Sequence, residues 1–151
     1  MRTIWITSLL AASLAAVSMS GCTIYREKKP PTLKSTTSAE QYERLFWAAV
    51  KEKSWVQVPG LLGANVMYSV GGKVLGNDQV VPYLQGANIV DSTISGMVVK
   101  PNGPDMTLSY TLQLASAAGP VQTYTAISVW QQVPKGWILI AHAEHAQLPN
   151  N

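Results

Sequence analysis

Residues 106–115 read MTLSYTLQLA, and apolar and polar side chains alternate along this stretch. The apolar positions are Leu108, Tyr110, Leu112 and Leu114, and the polar positions are Thr107, Ser109, Thr111 and Gln113. Successive side chains of a β-strand point to opposite faces of its sheet. The alternation therefore predicts a strand with one apolar face.

Three further stretches near this one also have strand-like composition, and short turns separate all four. The strands are predicted at residues 93–100, 106–115, 122–133 and 137–146, with turns at residues 101–104, 118–120 and 134–136. Glycine and proline mark these turns, and each is too short for a crossover connection. Consecutive strands joined in this way predict an antiparallel meander.

A hairpin and a short helix are predicted before the meander. Gly71-Gly72 separates the strand-like residues 66–70 from residues 73–75, a pattern typical of a hairpin whose turn needs positive φ. A short helix follows, with Asn77-Asp78 as its cap and its end near Gln85.

The first helix is predicted to begin at residues 36–38, because these Thr and Ser residues precede Glu40 and Gln41 in two overlapping capping boxes. Its apolar stripe is Tyr42, Leu45, Phe46, Ala49 and Val50, and the charged residues off this stripe are Glu43, Arg44, Lys51 and Glu52. Residues 55–62 predict a second helical piece interrupted by Pro59-Gly60. Helices followed by a curved antiparallel sheet make an α+β fold whose helices cover one sheet face.

The N-terminal residues have the pattern of an export signal. Arg2 precedes an apolar run from Ile4 to Met19, and these roughly 16 residues fall short of the ~20 that a spanning helix needs. Met19-Ser20-Gly21-Cys22 resembles the bacterial lipobox, in which the Gly and the Cys match. We therefore expect Cys22, the only cysteine, to receive acyl chains of the palmitate type. A chain with one cysteine forms no intramolecular disulfide.

These features divide the chain into a lipoprotein signal peptide (1–21), a lipidated, flexible and basic tether (22–35) and a single folded domain (36–148). The tether holds Arg26, Lys28, Lys29 and Lys34 against Glu27, whereas charges in the domain nearly balance. Nucleic acid is therefore not an expected partner, since it needs a basic face on the folded part. The expected location is the bacterial cell envelope, with the domain facing the periplasm or the exterior. Thr23 after the lipidated cysteine favours the outer membrane of a Gram-negative host, by resemblance to known sorting behaviour.

The domain resembles a known superfamily over residues 38–147. The residues that carry the resemblance are Tyr42–Ala49, Trp55, Leu61-Leu62, Asn65-Val66, Gly72-Lys73, Gly76, Ser128–Trp130, Gly136-Trp137 and Leu139. They resemble the SnoaL-like, ketosteroid isomerase-like group of the nuclear transport factor 2-like superfamily, and more narrowly its branch of domains of unknown function. The resemblance implies a cone, in which three helices close a pocket on the concave side of a bent sheet. Because this cone hosts isomerases, cyclases, dehydratases and proteins without known chemistry, the fold does not decide the function.

Ionisable residues that suit acid–base chemistry are few in the domain. They are Asp78, Asp91, His142, Glu144 and His145, with Tyr68, Tyr83, Tyr110 and Tyr124 as hydrogen-bond donors. His142 and Glu144 are two residues apart on one predicted strand, so they share a face with Ile138 and Ile140 and form the best pair. Related sequences often carry histidines four and six residues after the Gly-Trp tryptophan, whereas here they follow at five and eight. We expect the pair to lie at a partly solvated strand end, Asp91 to open a strand and Asp78 to cap a helix.

Aromatic residues suggest a different site. Phe46, Tyr68, Tyr110 and Trp130 are predicted to line a pocket for a small hydrophobic ligand, because aromatic side chains suit such pockets. Trp130 shares strand parity with Tyr124 and Ser128. No metal or cofactor is expected, since His142 and His145 fall on opposite strand faces and no dinucleotide fingerprint or nucleophile elbow is present.

Two function classes stay open, together with a homodimer. One is a non-catalytic module that binds a small ligand or a partner, and the other is a lyase or isomerase that uses His142 and Glu144 as acid and base. The choice depends on whether an ionisable pair lies inside the cone. Thr125, Ile127 and Val129 place apolar atoms on the outer sheet face, and that face predicts a homodimer.

Overall fold

The computed structural model describes the backbone of residues 36–147 and the side chains of residues 39–147. In chain order the elements are α1 (Thr36–Lys51), α2 (Val58–Leu61), β1 (Leu62–Val70), β2 (Lys73–Leu75), α3 (Asn77–Ala87), β3 (Ile89–Asn102), β4 (Asp105–Ser116), β5 (Gln122–Val133) and β6 (Gly136–Ala146). This order confirms the predicted α+β class. The predicted signal peptide, Cys22 and the tether lie outside the described residues. Across the described part, every helix is too short or too polar to cross a bilayer.

The six strands form one open sheet in the order β2-β1-β6-β5-β4-β3. Strands β3 to β6 pair as the predicted antiparallel meander. The exception is β1, which pairs in parallel with β6 and places Tyr68 beside His142. Strands from opposite ends of the domain therefore meet in the middle of the sheet.

Bulges interrupt the ladders of this sheet. Between Ser95 and Val98 the pairing of β3 with β4 shifts register, and Gly96 adopts a φ of 61° there. A bulge adds an unpaired residue to one strand and bends it, and glycine is the residue that adopts positive φ without strain.

The β1–β2 hairpin has the predicted turn, with φ values of 55° at Gly71 and 76° at Gly72. Strand β1 begins earlier than predicted because Leu62 already pairs with Leu139 of β6, ahead of a register shift between Leu62 and Met67. Helix α2 is correspondingly short, with Pro59 in its first turn. The second helical piece therefore begins at Val58 and contains Pro59-Gly60, where we predicted an interruption.

Helix α3 differs from its prediction at its cap. Its N-cap is Gly76, whose backbone N–H donates to the side-chain oxygen of Gln79 at 3.0 Å. Asn77 and Asp78 instead form the first turn, and the Asn77 side chain donates to the Gly63 carbonyl at 2.9 Å. The prediction that Asn77 or Asp78 caps this helix was therefore wrong, since tertiary contact with β1 takes up the Asn77 amide.

Helix α1 covers the inner sheet face with a stripe different from the predicted one. Its buried positions are Ala39, Glu43, Phe46, Trp47, Ala49 and Val50. Leu45, predicted on the stripe, is 45% exposed. Glu43, predicted off the stripe, is fully buried. Relative to the predicted orientation, α1 is therefore rotated about its axis so that Glu43 and Trp47 face the sheet.

The two sheet faces separate as the alternation predicts. Leu108, Tyr110, Leu112 and Leu114 are all buried on the inner face, against α1 and the other inward strands. On the outer face Met67, Val74 and Ile127 stay exposed. The core thus lies entirely between the helices and one side of the sheet.

Candidate functional site

A fully buried carboxylate holds the centre of the inner face. Glu43 on α1 accepts hydrogen bonds at Oε1 from Trp47 Nε1 (2.9 Å) and the Tyr110 hydroxyl (2.5 Å), and at Oε2 from Trp130 Nε1 (2.6 Å). An ionised carboxylate only accepts hydrogen bonds, and these three donors match it. Within residues 39–147 no Lys or Arg forms an ion pair with it. Glu43 therefore joins α1 to β4 and β5 by hydrogen bonds alone.

A chain of polar atoms runs from this carboxylate across the core. The Tyr110 hydroxyl lies 3.3 Å from Ser128 Oγ, which lies 2.9 Å from His142 Nδ1. On the other side of the ring, His142 Nε2 is 3.6 Å from Glu144 Oε2. Two carboxylates, Glu43 and Glu144, thus stand at opposite ends of one buried polar chain.

The proton positions along this chain are coupled. Tyr110 donates its only hydroxyl proton to Glu43, so its oxygen accepts from any other neighbour. When Glu144 is a carboxylate, a proton on Nε2 of His142 prevents the lone pairs of this nitrogen and of Glu144 Oε2 from facing each other. In the neutral ring Nδ1 then accepts the only hydroxyl proton of Ser128, because only one ring nitrogen carries hydrogen, and this proton is then not donated to the Tyr110 oxygen 3.3 Å away. Ser128 therefore helps to determine the tautomer of His142.

A bulge in β6 brings His142 and Glu144 to the inner face. The β5–β6 register shifts between Val129 and Trp130, which leaves Ile140 as the extra residue. Strand residues beyond an inserted residue change faces. His142 and Glu144 consequently point inward, with side chains 0% and 4% exposed.

Three buried polar atoms in this region have no hydrogen-bond partner among the described residues, namely Tyr68 Oη, His142 Nε2 and Glu144 Oε2. The Tyr68 and His142 rings stack with centroids 4.4 Å apart. Buried polar groups are nearly always paired in folded proteins. These three atoms therefore leave hydrogen-bonding capacity unused in this part of the core.

Glu144 forms part of the wall of a cavity of about 230 Å³ between the helices and the sheet. The aromatic wall residues are Trp47, Tyr83 and Tyr124, and the aliphatic ones include Leu84, Ile89 and Leu114. No Lys, Arg or His of the described chain lines it. The volume is below the range of roughly 300–1,000 Å³ typical of drug-sized ligands, so the cavity suits a small molecule.

The tyrosines near Glu144 are kept in their neutral form. Burial raises the pKa of Tyr68 well above its ordinary value, and the charge of Glu144 raises it further. The same two causes, burial first, raise the pKa of Tyr83 and of Tyr124. For Tyr110 the causes are burial and then the charge of Glu43, and its pKa is also raised well above the ordinary value. Each of these phenols therefore keeps its proton as a hydrogen-bond donor at neutral pH.

Comparison with known proteins identifies the fold. No family model and no curated protein matches the sequence, but many solved structures match the three-dimensional arrangement. An NTF2-like protein from Cytophaga hutchinsonii aligns with a TM-score of 0.65 at 13% identity, over 72% of this chain and 95% of that one. The chain has an NTF2-like fold.

Two other structures illustrate the range of proteins with the NTF2-like fold. An NTF2-like protein of unknown function in nutrient uptake from Rhodospirillum rubrum has a TM-score of 0.65 and 19% identity, over 72% of this chain and 98% of that one. A candidate ketosteroid isomerase from Shewanella frigidimarina has a TM-score of 0.63 and 15% identity, over 73% of this chain and 96% of that one. At these identities the similarity concerns the fold, so the function must be argued from the site.

The four residues predicted to line the pocket lie deeper in this NTF2-like fold. Phe46, Tyr68 and Trp130 are fully buried, and Tyr110 is 3% exposed. None of the four belongs to the wall of the described cavity. Tyr110 and Trp130 donate to Glu43 in the buried polar chain, whereas Trp47, Tyr83 and Tyr124 provide the aromatic wall of the cavity.

His142 and Glu144 do share a face, as predicted, but the expected solvated strand end was wrong. Both side chains are buried: the His142 ring stacks on Tyr68 and packs against Trp47, and Glu144 lines the cavity together with Tyr83 of α3 and Pro120 of the loop after β4. The prediction that Ile138 shares their face was also wrong, and the bulge at Ile140 is the reason.

The remaining ionisable candidates lie outside the site. Asp91 is near the start of β3, as predicted, and pairs with Lys51 at 2.7 Å. His145 is exposed, on the face opposite His142. Among the described residues, no group of three His, Cys, Asp or Glu side chains is arranged to hold a metal ion.

Sequence reasoning missed Glu43, the most connected side chain of the site. A signal was present, because position 43 falls in helical register with Ala39, Phe46, Trp47 and Val50. The expectation that charged residues face solvent outweighed that register. A Glu one turn before a Trp on an otherwise apolar stripe is the pattern that identifies it.

Proposed function

We propose that this chain binds a small, mostly apolar molecule in the cavity beneath α1 and α3, and that Glu144 contacts the polar group of that molecule. The proposal includes the anchor expected from the sequence, a lipid on Cys22 that holds the domain at the bacterial cell envelope. The domain would then act as a binding module next to a membrane.

One observation carries the binding proposal, namely a nearly buried carboxylate on a mostly aromatic and aliphatic wall whose other non-aromatic polar side chains, Ser116 and Gln122, are uncharged. Glu144 is 4% exposed and lines the cavity, and its Oε2 lies 3.6 Å from His142 Nε2 without a hydrogen bond within residues 39–147. Burying a carboxylate that is so incompletely hydrogen-bonded costs free energy, so a binding role explains its presence better than a contribution to stability. Apolar walls with a few polar groups are the usual composition of small-molecule sites.

Filling the cavity tests this proposal. Ala87 lines the cavity, so Ala87→Phe should occupy part of its volume and abolish binding of an environment-sensitive apolar dye. Ala64 is exposed on β1 and away from the cavity, so Ala64→Phe is the matched control and should bind the dye like the unchanged protein. Circular dichroism verifies folding of both variants. Equal dye binding by the two variants would place the dye elsewhere and contradict the proposal.

A second candidate function is acid–base catalysis, because His142 and Glu144 form a buried ionisable pair and Glu144 lines the cavity. As a general base, Glu144 would remove a proton from the carbon atom next to a carbonyl group of the substrate, and His142 would keep the carboxylate oriented. The chain would then be a lyase or isomerase acting on a small hydrophobic substrate.

Proton exchange distinguishes this function from binding alone. Deuterium exchange at the α-carbon of cyclohexanone, followed by NMR, should be faster with the unchanged protein than with Glu144→Gln. Exchange at the same rate with both proteins, while the dye still binds, would leave binding as the function.

The lipid anchor has an independent test. Cys22→Ser should leave the precursor without acyl chains and uncleaved before residue 22, which mass spectrometry of the membrane fraction detects. A mature N-terminus at another residue, without lipid, would contradict the anchor. Membrane fractionation then decides whether the outer membrane holds the protein.

A further inference from the structure

We propose that the cavity selects small organic cations, such as protonated amines, over neutral and anionic molecules of the same size. This inference rests on the proposed function, in which the cavity binds a small molecule. It adds the charge of the ligand, which the fold alone does not specify.

The charges around the cavity favour a cation. Glu144 is the only acidic side chain on the wall, and no Lys, Arg or His of the described residues lines it. The 3.6 Å between Glu144 Oε2 and His142 Nε2 is longer than a hydrogen bond, so that contact satisfies the carboxylate incompletely. A buried carboxylate in this state gains from a cation beside it and repels a second anion.

The aromatic wall has the same preference. Trp47, Tyr83 and Tyr124 surround the space that Glu144 faces. The faces of aromatic rings attract cations, and Trp and Tyr attract them more strongly than Phe. A carboxylate together with aromatic rings is therefore suited to an ammonium group attached to an apolar body.

Glu43 does not provide such a site although it is the more deeply buried acid. Both of its oxygens accept hydrogen bonds from Trp47, Tyr110 and Trp130. It also stands away from the cavity wall. The contrast assigns a structural role to Glu43 and a ligand contact to Glu144.

A charge series on one ring tests the inference. Benzylamine, benzyl alcohol and benzoate share a ring and nearly the same size, and differ in charge. With the purified full chain, calorimetric titration should give at least tenfold tighter binding for benzylamine than for benzyl alcohol, and the weakest binding for benzoate. Glu144→Gln should remove the preference by weakening benzylamine at least tenfold while leaving benzyl alcohol within about twofold. Glu52→Gln, at an exposed position on the segment that follows α1, is the matched control and should change neither.

A second variant pair tests the aromatic wall and does not depend on Glu144. Tyr83→Phe keeps the ring and should keep benzylamine affinity within a few fold, whereas Tyr83→Leu should weaken it several-fold. If Glu144→Gln does not fold, the three ligands with the unchanged protein still decide the question.

The possible failures are distinguishable. Equal binding of amine and alcohol, or tighter binding of benzoate, overturns the cation preference while the proposed binding function stands. Absence of binding by all three compounds also overturns it. If the apolar dye then fails to distinguish Ala87→Phe from Ala64→Phe, the proposed function falls with it.

Discussion

Glu43 determines how α1 sits on the sheet, because this buried carboxylate contacts two strands through aromatic donors. Trp47 shares its helix, whereas Tyr110 and Trp130 come from β4 and β5. Each of these three large aromatic side chains carries a buried N–H or O–H group, and a buried polar group needs a hydrogen-bond partner. The positions of the two Glu43 carboxylate oxygens therefore fix the packing of Trp47, Tyr110 and Trp130.

Removing this acceptor should destabilise the protein strongly. In Glu43→Leu the Trp130 indole loses its acceptor, while Trp47 Nε1 keeps only the Tyr110 oxygen at 3.1 Å and the Tyr110 hydroxyl only Ser128 Oγ at 3.3 Å, so we expect a loss of about 2–4 kcal/mol. Glu43→Gln keeps the shape but sets an amide N–H₂ against donors, with an expected loss of about 2 kcal/mol. Urea unfolding followed by fluorescence measures both losses. The control is Glu40→Gln, one turn earlier in an exposed ion pair with Arg44, which should change stability by less than about 1 kcal/mol. Similar losses for Glu40→Gln and Glu43→Gln would contradict the assigned role.

Single residues were the least predictable part of the site. Strand alternation placed Tyr110 and Trp130 correctly on the inner face. It carries no information about which acceptor their polar atoms find, because that acceptor lies on another element 67 or 87 residues away along the chain. The cavity wall was missed for the same reason, since Tyr83 and Glu144 meet only after α3 and β6 pack together.

At the scale of elements, α1 and the start of β6 approach each other closely at Gly136. This glycine has a φ of 135°, and the Tyr42 hydroxyl occupies the space where a Cβ would stand. The Tyr42 ring in turn packs edge-on against Trp130, with centroids 6.0 Å apart. The absence of a side chain at Gly136 thus leaves the space at the start of β6 that the Tyr42 side chain of α1 occupies.

Gly136→Ala should therefore be costly. The added methyl group requires both an unfavourable φ and displacement of Tyr42, so we expect a loss of about 2–4 kcal/mol in thermal or urea unfolding. Gly60→Ala in α2 is the matched control, because no atom lies within 4 Å of the place that its methyl group would take. That variant should be neutral or stabilise by up to about 1 kcal/mol. A neutral Gly136→Ala would show that Tyr42 moves freely.

The contact between α1 and β3 should make stability depend on pH at the acid end. Hydrogen bonding to Lys51 lowers the pKa of Asp91, and the backbone N–H of Ser92 lowers it further. A carboxyl whose pKa is lower in the folded protein stabilises the fold above its unfolded pKa, about 4, and loses this contribution as pH falls through the folded pKa. The difference in urea stability between the unchanged protein and Asp91→Asn should therefore be present at pH 6 and disappear by about pH 2. Because both side chains are exposed, added salt should also reduce it. A difference that grows with acid would have the wrong sign.

Whole elements were predictable to within a few residues wherever turn chemistry and alternation agreed. Strand β5 begins and ends as predicted, and β4 extends one residue beyond its prediction at each end. The bulge in β6 was not predictable, because residues 138–141 are Ile, Leu, Ile and Ala and carry no polar residue to reveal the change of face. The parallel pairing of β1 with β6 leaves no local signal either, since it joins segments far apart in sequence.

At the scale of the whole molecule, the outer face of the sheet carries an uncovered apolar area on the described strands. Met67, Val74, Ile127, Val129, Ala141 and Ala143 surround a shallow hollow there. Apolar patches of this kind on an antiparallel sheet are usually covered by another surface. The homodimer predicted from the sequence would use this face.

Sedimentation velocity at micromolar concentration should thus detect a dimer. Ile127→Lys places a charge in the middle of the patch, and we expect it to give a monomer. Val56→Lys is the control, because Val56 is 94% exposed in the segment between α1 and α2 and away from the sheet face. A monomer from the unchanged protein, or a dimer that survives Ile127→Lys, would contradict pairing through this face.

The parallel pairing of β1 with β6 has a consequence for the order of folding. Strand β1 cannot pair with β6 until residues 139–143 have been synthesised and have folded back onto it. Closure of a long loop therefore precedes completion of the sheet. Until then β1 and β5 each present an open edge, and open edges pair readily with other chains. A truncated chain that ends before Gly136 would therefore expose two strand edges that can pair with other chains. We expect such a chain to aggregate or to be degraded, and not to form a smaller stable domain.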